Sequence, residues 1–304
     1  MLETLIGALA AITLASPVQA QNLFDQYIER MPQTQVAVQD ASVPTKKRKE
    51  SLGIKTNAAS VFVADVASGK VLFAQNEHKI LPIASLTKLM TAMVLLDQKI
   101  DLTATVELQA DDFDRESKSV FKIGEQLTYG ELLESMLVGS VNASANALAR
   151  ATLGREEFVA AMNAKARELK LDSPHYADPS GLDPRNTASA ADIAAIITHA
   201  SGYPQITAAM RKPEVTIRGH KTGQAYTIKT TNLLLSTFLN KEPYSVVAAK
   251  TGSLPEAGYC MAQITQRGDG SSVVAVELGD ENHFDRFQDI KALTNWAFDT
   301  YEWN

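Results

Sequence analysis

Two residues near the middle of the first half of the chain have the types and spacing needed for acyl transfer through a serine. Ser85-Leu86-Thr87-Lys88 has the form S-x-x-K and opens an apolar stretch that predicts a helix. A spacing of three on a helix puts Ser85 and Lys88 on one face, where an amine could act as the base that a weakly nucleophilic hydroxyl needs. Backbone N–H groups at the start of such a helix could stabilise an oxyanion.

Two further motifs follow in the chain and could complete such a site. Ser140-Val141-Asn142 has the form S-x-N and falls between two predicted helices. Its hydroxyl could relay a proton to a leaving amine, and its amide could bind a substrate carbonyl or the Lys88 amine. Lys250-Thr251-Gly252 has the form K-T-G and ends an apolar run that predicts a strand. The lysine could bind a substrate carboxylate, and glycine permits a close backbone approach.

Each motif also occurs a second time. The second copies are residues 119–122 in a polar loop, 144–146 inside a predicted helix and 221–223 in a polar, hairpin-like stretch. We interpret these copies as structural, because their local settings do not expose them at the end of a helix or strand. The remaining three motifs stand in the order S-x-x-K, S-x-N, K-T-G, and this combination favours a serine acyl-transfer enzyme.

The elements that must position these motifs predict an α+β fold. Residues 60–66 and 71–73 are β-rich runs joined by a turn, which indicates a hairpin. Three strand-like runs lie near the end of the chain, at 244–249, 258–265 and 271–278, and helices fill the interval. The hairpin can pair with the late strands in one antiparallel sheet, covered by the first long helix and by the last one. Predicted helices cover residues 86–96, 142–151, 156–169, 189–200 and 284–298, and Thr128 with Glu131 predicts a capping box for another.

Composition narrows the function classes. The chain has 304 residues, 45% of them hydrophobic, and a formal net charge of −6, which gives no support for a nucleic-acid partner. Cys260 is the only cysteine, so no internal disulfide can form. The five histidines show no ligand spacing, and we expect the reaction to need no metal or other cofactor.

The N-terminal residues predict export. Residues 4–16 are apolar and short, and small residues at 18 and 20 suit cleavage after Ala20, so residues 1–20 read as a signal peptide. Glu3 and the lack of Lys or Arg before the apolar stretch leave an amphipathic surface helix as the alternative. Residues 21–56 are polar and predict a linker, and residues 57–304 would form the catalytic domain. We therefore expect an exported, periplasmic protein.

The motifs and their flanking stretches resemble the low-molecular-mass penicillin-binding proteins, which are serine D-alanyl-D-alanine peptidases. The resemblance covers about residues 57–298 and includes SVFVADVASGKVLFAQN, ASLTKLMTAMVLLD, ADPSGLDPRNTASAADIA and AKTGSLPEAGYC. It implies a five-stranded antiparallel sheet flanked by helices, with a helical subregion. It also implies peptidoglycan stem peptides as substrates and β-lactam antibiotics as inhibitors that acylate the serine.

The resemblance implies a role for each site residue. Ser85 would carry the acyl group, Lys88 would be the general base, and Ser140 with Asn142 would complete the proton relay. The oxyanion hole would be the backbone N–H groups of Ser85 and Ser253. The substrate-binding residues would be Lys250, Thr251, Gly252, Ser253 and Arg286, the last of these facing the substrate carboxylate.

Several functions remain open at this point. Related carboxypeptidases often carry a second β-rich domain and a C-terminal amphipathic anchor, whereas few residues follow Gly252 here and none after Lys291 is Lys or Arg. This favours a D,D-endopeptidase without a stable membrane anchor over a carboxypeptidase. A β-lactamase would need a dedicated deacylating carboxylate, and the loop at 178–186 offers only Asp178 and Asp183. A non-catalytic wall-binding protein would have no need for the S-x-x-K pair.

Overall fold

The computed structural model describes residues 43–113 and 120–303. The predicted signal peptide and residues 21–42 of the predicted linker lie outside the described residues, and the boundaries at 20 and 56 stay predictions. The α-helices are α1 (Lys88–Asp97), α2 (Tyr129–Val138), α3 (Asn142–Thr152), α4 (Arg155–Glu168), α5 (Ala190–Ser201), α6 (Pro204–Met210) and α7 (Asp285–Thr300). Short 3₁₀ helices cover Ala84–Thr87, Ala110–Asp112, Leu233–Ser236 and Phe238–Asn240.

Five strands form the central antiparallel sheet, in the order β10-β11-β12-β2-β3. The strands are β1 (Thr45–Lys46), β2 (Ser60–Asp65), β3 (Val71–Gln75), β4 (Leu81–Pro82), β5 (Thr105–Glu107), β6 (Gln126–Thr128), β7 (Thr187–Ala188), β8 (Glu214–Arg218), β9 (Ala225–Lys229), β10 (Tyr244–Leu254), β11 (Gly258–Arg267), β12 (Ser272–Asp280) and β13 (Tyr301–Glu302). The predicted hairpin is β2–β3, and it joins the three late strands through the pairing of β2 with β12. The predicted fold class is confirmed.

Successive side chains along the strands of the sheet pack into two separate hydrophobic cores, one on each face. Val273 and Ala275 of β12 pack in a cluster with Leu293 and Ala297 of α7, whereas Val274 of the same strand belongs to the core shared with the helical region. This follows from the two-residue period of a strand, which sends successive side chains to opposite faces. The sheet therefore lies between α7 on one face and the helical region on the other.

The helical region is built around α1, whose residues 88–95 are all buried. A helix that is buried on every side must be surrounded by other elements, and α1 contacts α3, α4 and α5. The predicted capping box begins α2, since Thr128 Oγ1 accepts from Glu131 N at 3.1 Å and Glu131 Oε2 accepts from Thr128 N at 2.8 Å. The first motif leads into α1, and the second lies in the turn from the end of α2 into α3.

The structure differs from the predicted elements in a few places. The first long helix was predicted from residue 86, but residues 84–87 form a 3₁₀ turn and the α-helix begins at Lys88. The short helix α6 was not predicted, because its seven residues are too few to show a helical period. Part of the predicted linker is ordered, since β1 pairs with β13 at the end of the chain.

Candidate active site

The S-x-x-K motif lies on the 3₁₀ turn that leads into α1. Lys88 Nζ lies 2.8 Å from Ser85 Oγ, so the structure brings the predicted nucleophile and base into direct contact. Ala84, the residue before the nucleophile, has φ +47°, a conformation that costs a non-glycine residue about 1–3 kcal/mol. The strained turn aims Ser85 out of the helix, and Ser85 is half-buried while Leu86, Thr87 and Lys88 are buried.

The Lys88 amine is held by three oxygen atoms in a fully buried position. Its Nζ also lies 2.7 Å from Asn142 Oδ1 and 2.5 Å from the backbone O of Ser180. The side chain of Asn142 is in place because α3 begins at that residue. The S-x-x-K and S-x-N motifs, 54 residues apart, therefore meet at one amine.

Ser140 belongs to the turn between α2 and α3 and also has a left-handed backbone, with φ +58°. Gly139 ends α2 and packs so tightly that an added Cβ would lie 2.1 Å from a side-chain carbon of Ile228. The turn presents the Ser140 hydroxyl to the sheet, where Lys250 Nζ donates to its Oγ at 2.8 Å. The S-x-N and K-T-G motifs are thereby joined as well.

Lys250 lies on β10, the edge strand of the sheet, and is almost completely buried. Its Nζ also donates to the backbone O of Thr251 at 2.8 Å. Burial, and next the charges of Lys88 and Arg286, hold the pKa of Lys250 well below its usual range. A negatively charged group bound next to the Lys250 amine would raise its pKa again and favour the ammonium form. The position therefore suits a substrate carboxylate.

The rest of the K-T-G motif brings β10 against the nucleophile turn. A Cβ added to Gly252 would lie 2.8 Å from Ile83 O and 3.1 Å from Ser85 N, which explains why glycine is needed there. Ser253, the next residue, is exposed at the mouth of the site. A cavity of about 320 Å³ opens here and is lined by Ser85, Ser140, Thr230, Thr231, Leu233, Thr251, Gly252, Ser253, His283 and Arg286.

Arg286 lines the cavity but is 96% buried, with 4% relative exposure. Its Nη1 donates to Gly252 O at 2.7 Å and to Cys260 O at 3.4 Å, and its guanidinium lies 5.2 Å from the ring centroid of Tyr259. These contacts anchor the K-T-G strand to α7. Contact of Arg286 with a substrate carboxylate stays a prediction.

Sequence reasoning missed the loop of residues 178–186 as a part of the site. Asp178 Oδ1 accepts from the backbone N of Ser180 and of Gly181, each at 2.6 Å. Asn186 Nδ2 ties the loop to Thr87 Oγ1 at 3.0 Å. This bonding fixes the Ser180 carbonyl on Lys88. The D-P-S-G spacing is a turn signal, but a backbone carbonyl leaves no mark of its own in a sequence.

The second copies of the motifs have structural roles. Ser144 is buried and shares a hydrogen bond with Ser135 Oγ at 2.7 Å, and Asn146 Nδ2 donates to Asp112 O at 3.0 Å. Lys221-Thr222-Gly223 lies in the turn between β8 and β9, where Lys221 N donates to Glu125 Oε1 at 3.0 Å. For these two copies the structural interpretation is confirmed, while Ser119 of the third lies outside the described residues.

A half-buried serine in contact with a buried lysine at the start of a helix, facing an edge strand, is the arrangement expected of a serine acyl-transfer enzyme. Residues 45–282 match the family model described as D-alanyl-D-alanine carboxypeptidase. The chain belongs to this family and is a serine D,D-peptidase, so the predicted family and enzyme class are confirmed.

Individual relatives agree with this assignment. The chain is 32% identical to the D-alanyl-D-alanine endopeptidase of Pseudomonas aeruginosa over 267 residues, which cover 86% of this chain and 84% of the relative. It is 28% identical to the D-alanyl-D-alanine carboxypeptidase DacF of Bacillus subtilis, with 84% and 65% covered. The crystal structure of the Streptomyces K15 DD-transpeptidase superposes with a TM-score of 0.75 at 25% identity, covering 82% of this chain and 100% of that one.

Proposed function

We propose that the chain is a D,D-endopeptidase that cuts D-alanyl cross-links of peptidoglycan through an acyl-enzyme on Ser85. The observation that carries the proposal is the set of oxygens around Lys88 Nζ. Two of them, Asn142 Oδ1 and Ser180 O, have no proton to give. A neutral amine can donate its two hydrogens to these two acceptors, which turns its lone pair toward the Ser85 hydroxyl at 2.8 Å.

The first step is then attack by Ser85 Oγ on the carbonyl carbon of the penultimate D-alanine, with the hydroxyl proton passing to Lys88 Nζ. The carbonyl oxygen becomes an oxyanion, which the backbone N–H groups of Ser85 and Ser253 would stabilise. Collapse of the tetrahedral species breaks the peptide bond. The leaving amine takes the proton that Lys88 accepted, relayed through the Ser140 hydroxyl, whose oxygen accepts a hydrogen bond from Lys250 Nζ; Lys88 is then neutral again.

The second step frees the enzyme. Water attacks the acyl ester, Lys88 again accepts the proton, and Ser85 Oγ leaves with a proton as the stem peptide is released. Lys250 would hold the substrate carboxylate, and its neighbour Thr251 lines the cavity. A β-lactam would enter the first step by the same attack and remain on Ser85 where the second step is slow.

Cleavage of cross-links rather than of terminal D-alanine is favoured by the relatives. Matches named D-alanyl-D-alanine endopeptidase include those of Pseudomonas aeruginosa and Haemophilus influenzae, of which the chain spans 84% and 74% at 32% and 31% identity. Among the matches named carboxypeptidase, it spans 65% of that of Bacillus subtilis at 28% identity and 82% of DacB2 of Mycobacterium tuberculosis at 30%. Both reactions use one acyl-enzyme and differ in the leaving amine, so a carboxypeptidase is the alternative.

The two carboxylates in the loop of residues 178–186 argue against a β-lactamase. The Asp178 carboxylate accepts backbone hydrogen bonds from its own loop. Hydrogen bonds from Arg185 lower the pKa of Asp183, whose carboxylate also pairs with that residue. Both carboxylates are therefore engaged in holding the loop and are poorly suited to accept a proton from a deacylating water.

The experiment that separates the two peptidase reactions offers a cross-linked muropeptide dimer and an uncross-linked pentapeptide to the purified protein. We expect dimer cleavage to be at least about ten-fold faster, by kcat/KM, than release of terminal D-alanine. The reverse order would make the chain a carboxypeptidase. Ser85→Ala is the control and must abolish both reactions, because one nucleophile serves both.

A periplasmic location, with roles in cell wall biogenesis and cell shape, follows from the substrate and from residues 1–20. Among the described residues, no helix combines the length and apolar character needed to cross a membrane. The location is tested by fusing residues 1–30 to a reporter enzyme that is active only after export. An active fusion is expected, and an inactive one would contradict the signal-peptide prediction.

A further inference from the structure

Three carboxylates meet behind the active-site strand, where the end of β12 packs against the first turns of α7. They belong to Glu277 and Asp280 of β12 and to Asp289 of α7. One carboxylate oxygen of each lies within 4.8 Å of the others. The reaction derived above uses none of them.

Glu277 is the most unusual member of this group. Its side chain is fully buried, and neither carboxylate oxygen accepts a hydrogen bond from an N–H or hydroxyl group of the described residues. Asp280 is also fully buried; its Oδ1 accepts from Asn282 N at 2.9 Å, while its Oδ2 has no such partner. A buried carboxylate without compensation is strongly unfavourable, so oxygens of this kind call for a bound ligand or proton.

Within residues 43–113 and 120–303, the cations near the three carboxylates do not balance their charge. Arg286 is the cation whose charge acts on Glu277 and Asp280, but its Nη1 is directed to the carbonyl of Gly252. No described ion pair within 4.0 Å joins Arg286 to a carboxylate. The three carboxylates and this guanidinium sum to two negative charges, and Asp285 adds to the negative potential at Glu277 and Asp289, so the position attracts a divalent cation.

One member of the group also lines a surface groove. A groove of about 710 Å³ lies beyond the β10–β11 turn and is lined by Ala59, Leu81, Pro82, Gly279, Asp280, Glu281 and residues 253–259. Asp280 therefore faces both the groove and the buried carboxylates. The exposed Glu281 also lines the groove and adds negative charge there.

We propose that Glu277, Asp280 and Asp289 bind a hard divalent cation, with Ca²⁺ as the best fit. Carboxylate oxygens are the ligands this class of ion prefers, and Ca²⁺–O distances of about 2.3–2.6 Å put opposite ligands about 5 Å apart, which accommodates the observed spacing. Water entering from the groove would complete the coordination. The ion would tie α7 to β12 and act on stability, not on the acyl-transfer step.

A shared proton is the competing explanation. Burial, and next a side-chain hydrogen bond with Asp280 and the charge of Asp289, raises the pKa of Glu277 to about 10. A protonated Glu277 would donate to Asp280 and satisfy part of the group without an ion. The two explanations predict opposite responses to added metal.

The test is calcium titration of the chelator-treated, dialysed protein by calorimetry, together with thermal unfolding in CaCl₂ and, separately, in MgCl₂. We expect one Ca²⁺ per chain and a rise in Tm of about 5 °C or more at 100-fold excess over Kd, with a smaller rise in MgCl₂. Glu277→Gln keeps the side-chain volume and removes the charge, so it should abolish both signals. Glu281→Gln, exposed at the groove, is the matched control and should keep both.

No calcium heat and no change in Tm for the wild type would overturn the proposal and leave the shared proton. An equal response from Glu277→Gln and the wild type would overturn it too, because binding would then lie elsewhere. Asp289→Asn, at a half-buried position, serves as the second ligand variant should Glu277→Gln fail to fold, and it must lower calcium affinity at least about ten-fold.

Discussion

Replacing Gly181 by alanine should impair the nucleophile without touching any catalytic side chain. A Cβ at this position would lie 2.0 Å from Ala84 O, 2.5 Å from Ala84 C and 3.0 Å from Ser85 N. Ordinary contacts of a Cβ begin near 3.4 Å, so the loop and the nucleophile turn must separate by more than about 1 Å. The same loop carries the Ser180 carbonyl that binds Lys88.

The magnitude follows from this displacement. A misplacement of about 1 Å at a reacting group can lower a rate by about 100-fold, or about 2.7 kcal/mol of barrier. Gly181 also has φ +85°, and an L-residue there costs about 1–2 kcal/mol of folding stability. We expect the second-order rate constant of acylation by a fluorescent penicillin to fall about 100-fold in Gly181→Ala.

Gly223→Ala is the matched control. Gly223 has φ +70°, but an added Cβ would meet no atom within 4 Å. It should therefore share the loss of Tm from backbone strain, about 2–8 °C for a domain of this size, while it acylates like the wild type. The steric argument is refuted if a folded Gly181→Ala acylates within about three-fold of Gly223→Ala.

Two further predictions address the base and a buried acid. Lys88→Met should lower the rate of acylation at least about 100-fold, because the general base is lost. Its Tm should stay within about 5 °C of the wild type, since an apolar side chain of similar size can replace a buried charged group at little cost. Retained acylation would exclude Lys88 as the base. Burial raises the pKa of Glu125, but hydrogen bonds from Thr222, Gln126, Lys221 and Tyr226 outweigh this effect and lower it to about 2. Because the folded pKa lies below the unfolded value of 4.5, the stabilisation is present above that value and is lost as pH falls toward 2. About 2 kcal/mol should disappear between pH 7 and pH 3, and urea unfolding of Glu125→Gln should lack this component; equal pH dependence in both proteins would contradict the assignment.

The parts of the fold that could be predicted depend on local patterns. The hairpin β2–β3 follows from two β-rich runs around a turn, and the start of α2 follows from Thr128 and Glu131. The S-x-x-K pair was predicted correctly to be in contact, although Ser85 lies on a 3₁₀ turn, because a spacing of three brings side chains together in either helix type. The local settings of the motifs separated them from their second copies, which follow one another in the same order.

What the sequence could not reveal depends on contacts between distant segments. The Ser180 carbonyl and Lys88 are 92 residues apart in the sequence, and no residue type predicts that its backbone carbonyl will accept such a bond. Arg286 was predicted to face the substrate, but its bonds to Gly252 O and Cys260 O show a second role as an anchor of β10. Glu277 stands within an apolar strand, and only the packing of α7 on β12 brings Asp289 near it.

The central claim, an acyl-enzyme on Ser85, is tested most directly by the intact mass of the protein after incubation with benzylpenicillin, with Ser85→Ala measured in parallel. The account predicts a single stable adduct on the wild type and none on the variant. An adduct that persists on Ser85→Ala, or no adduct on the wild type with the drug left intact, would contradict acyl transfer through Ser85. No adduct together with rapid hydrolysis of the drug would instead identify a β-lactamase.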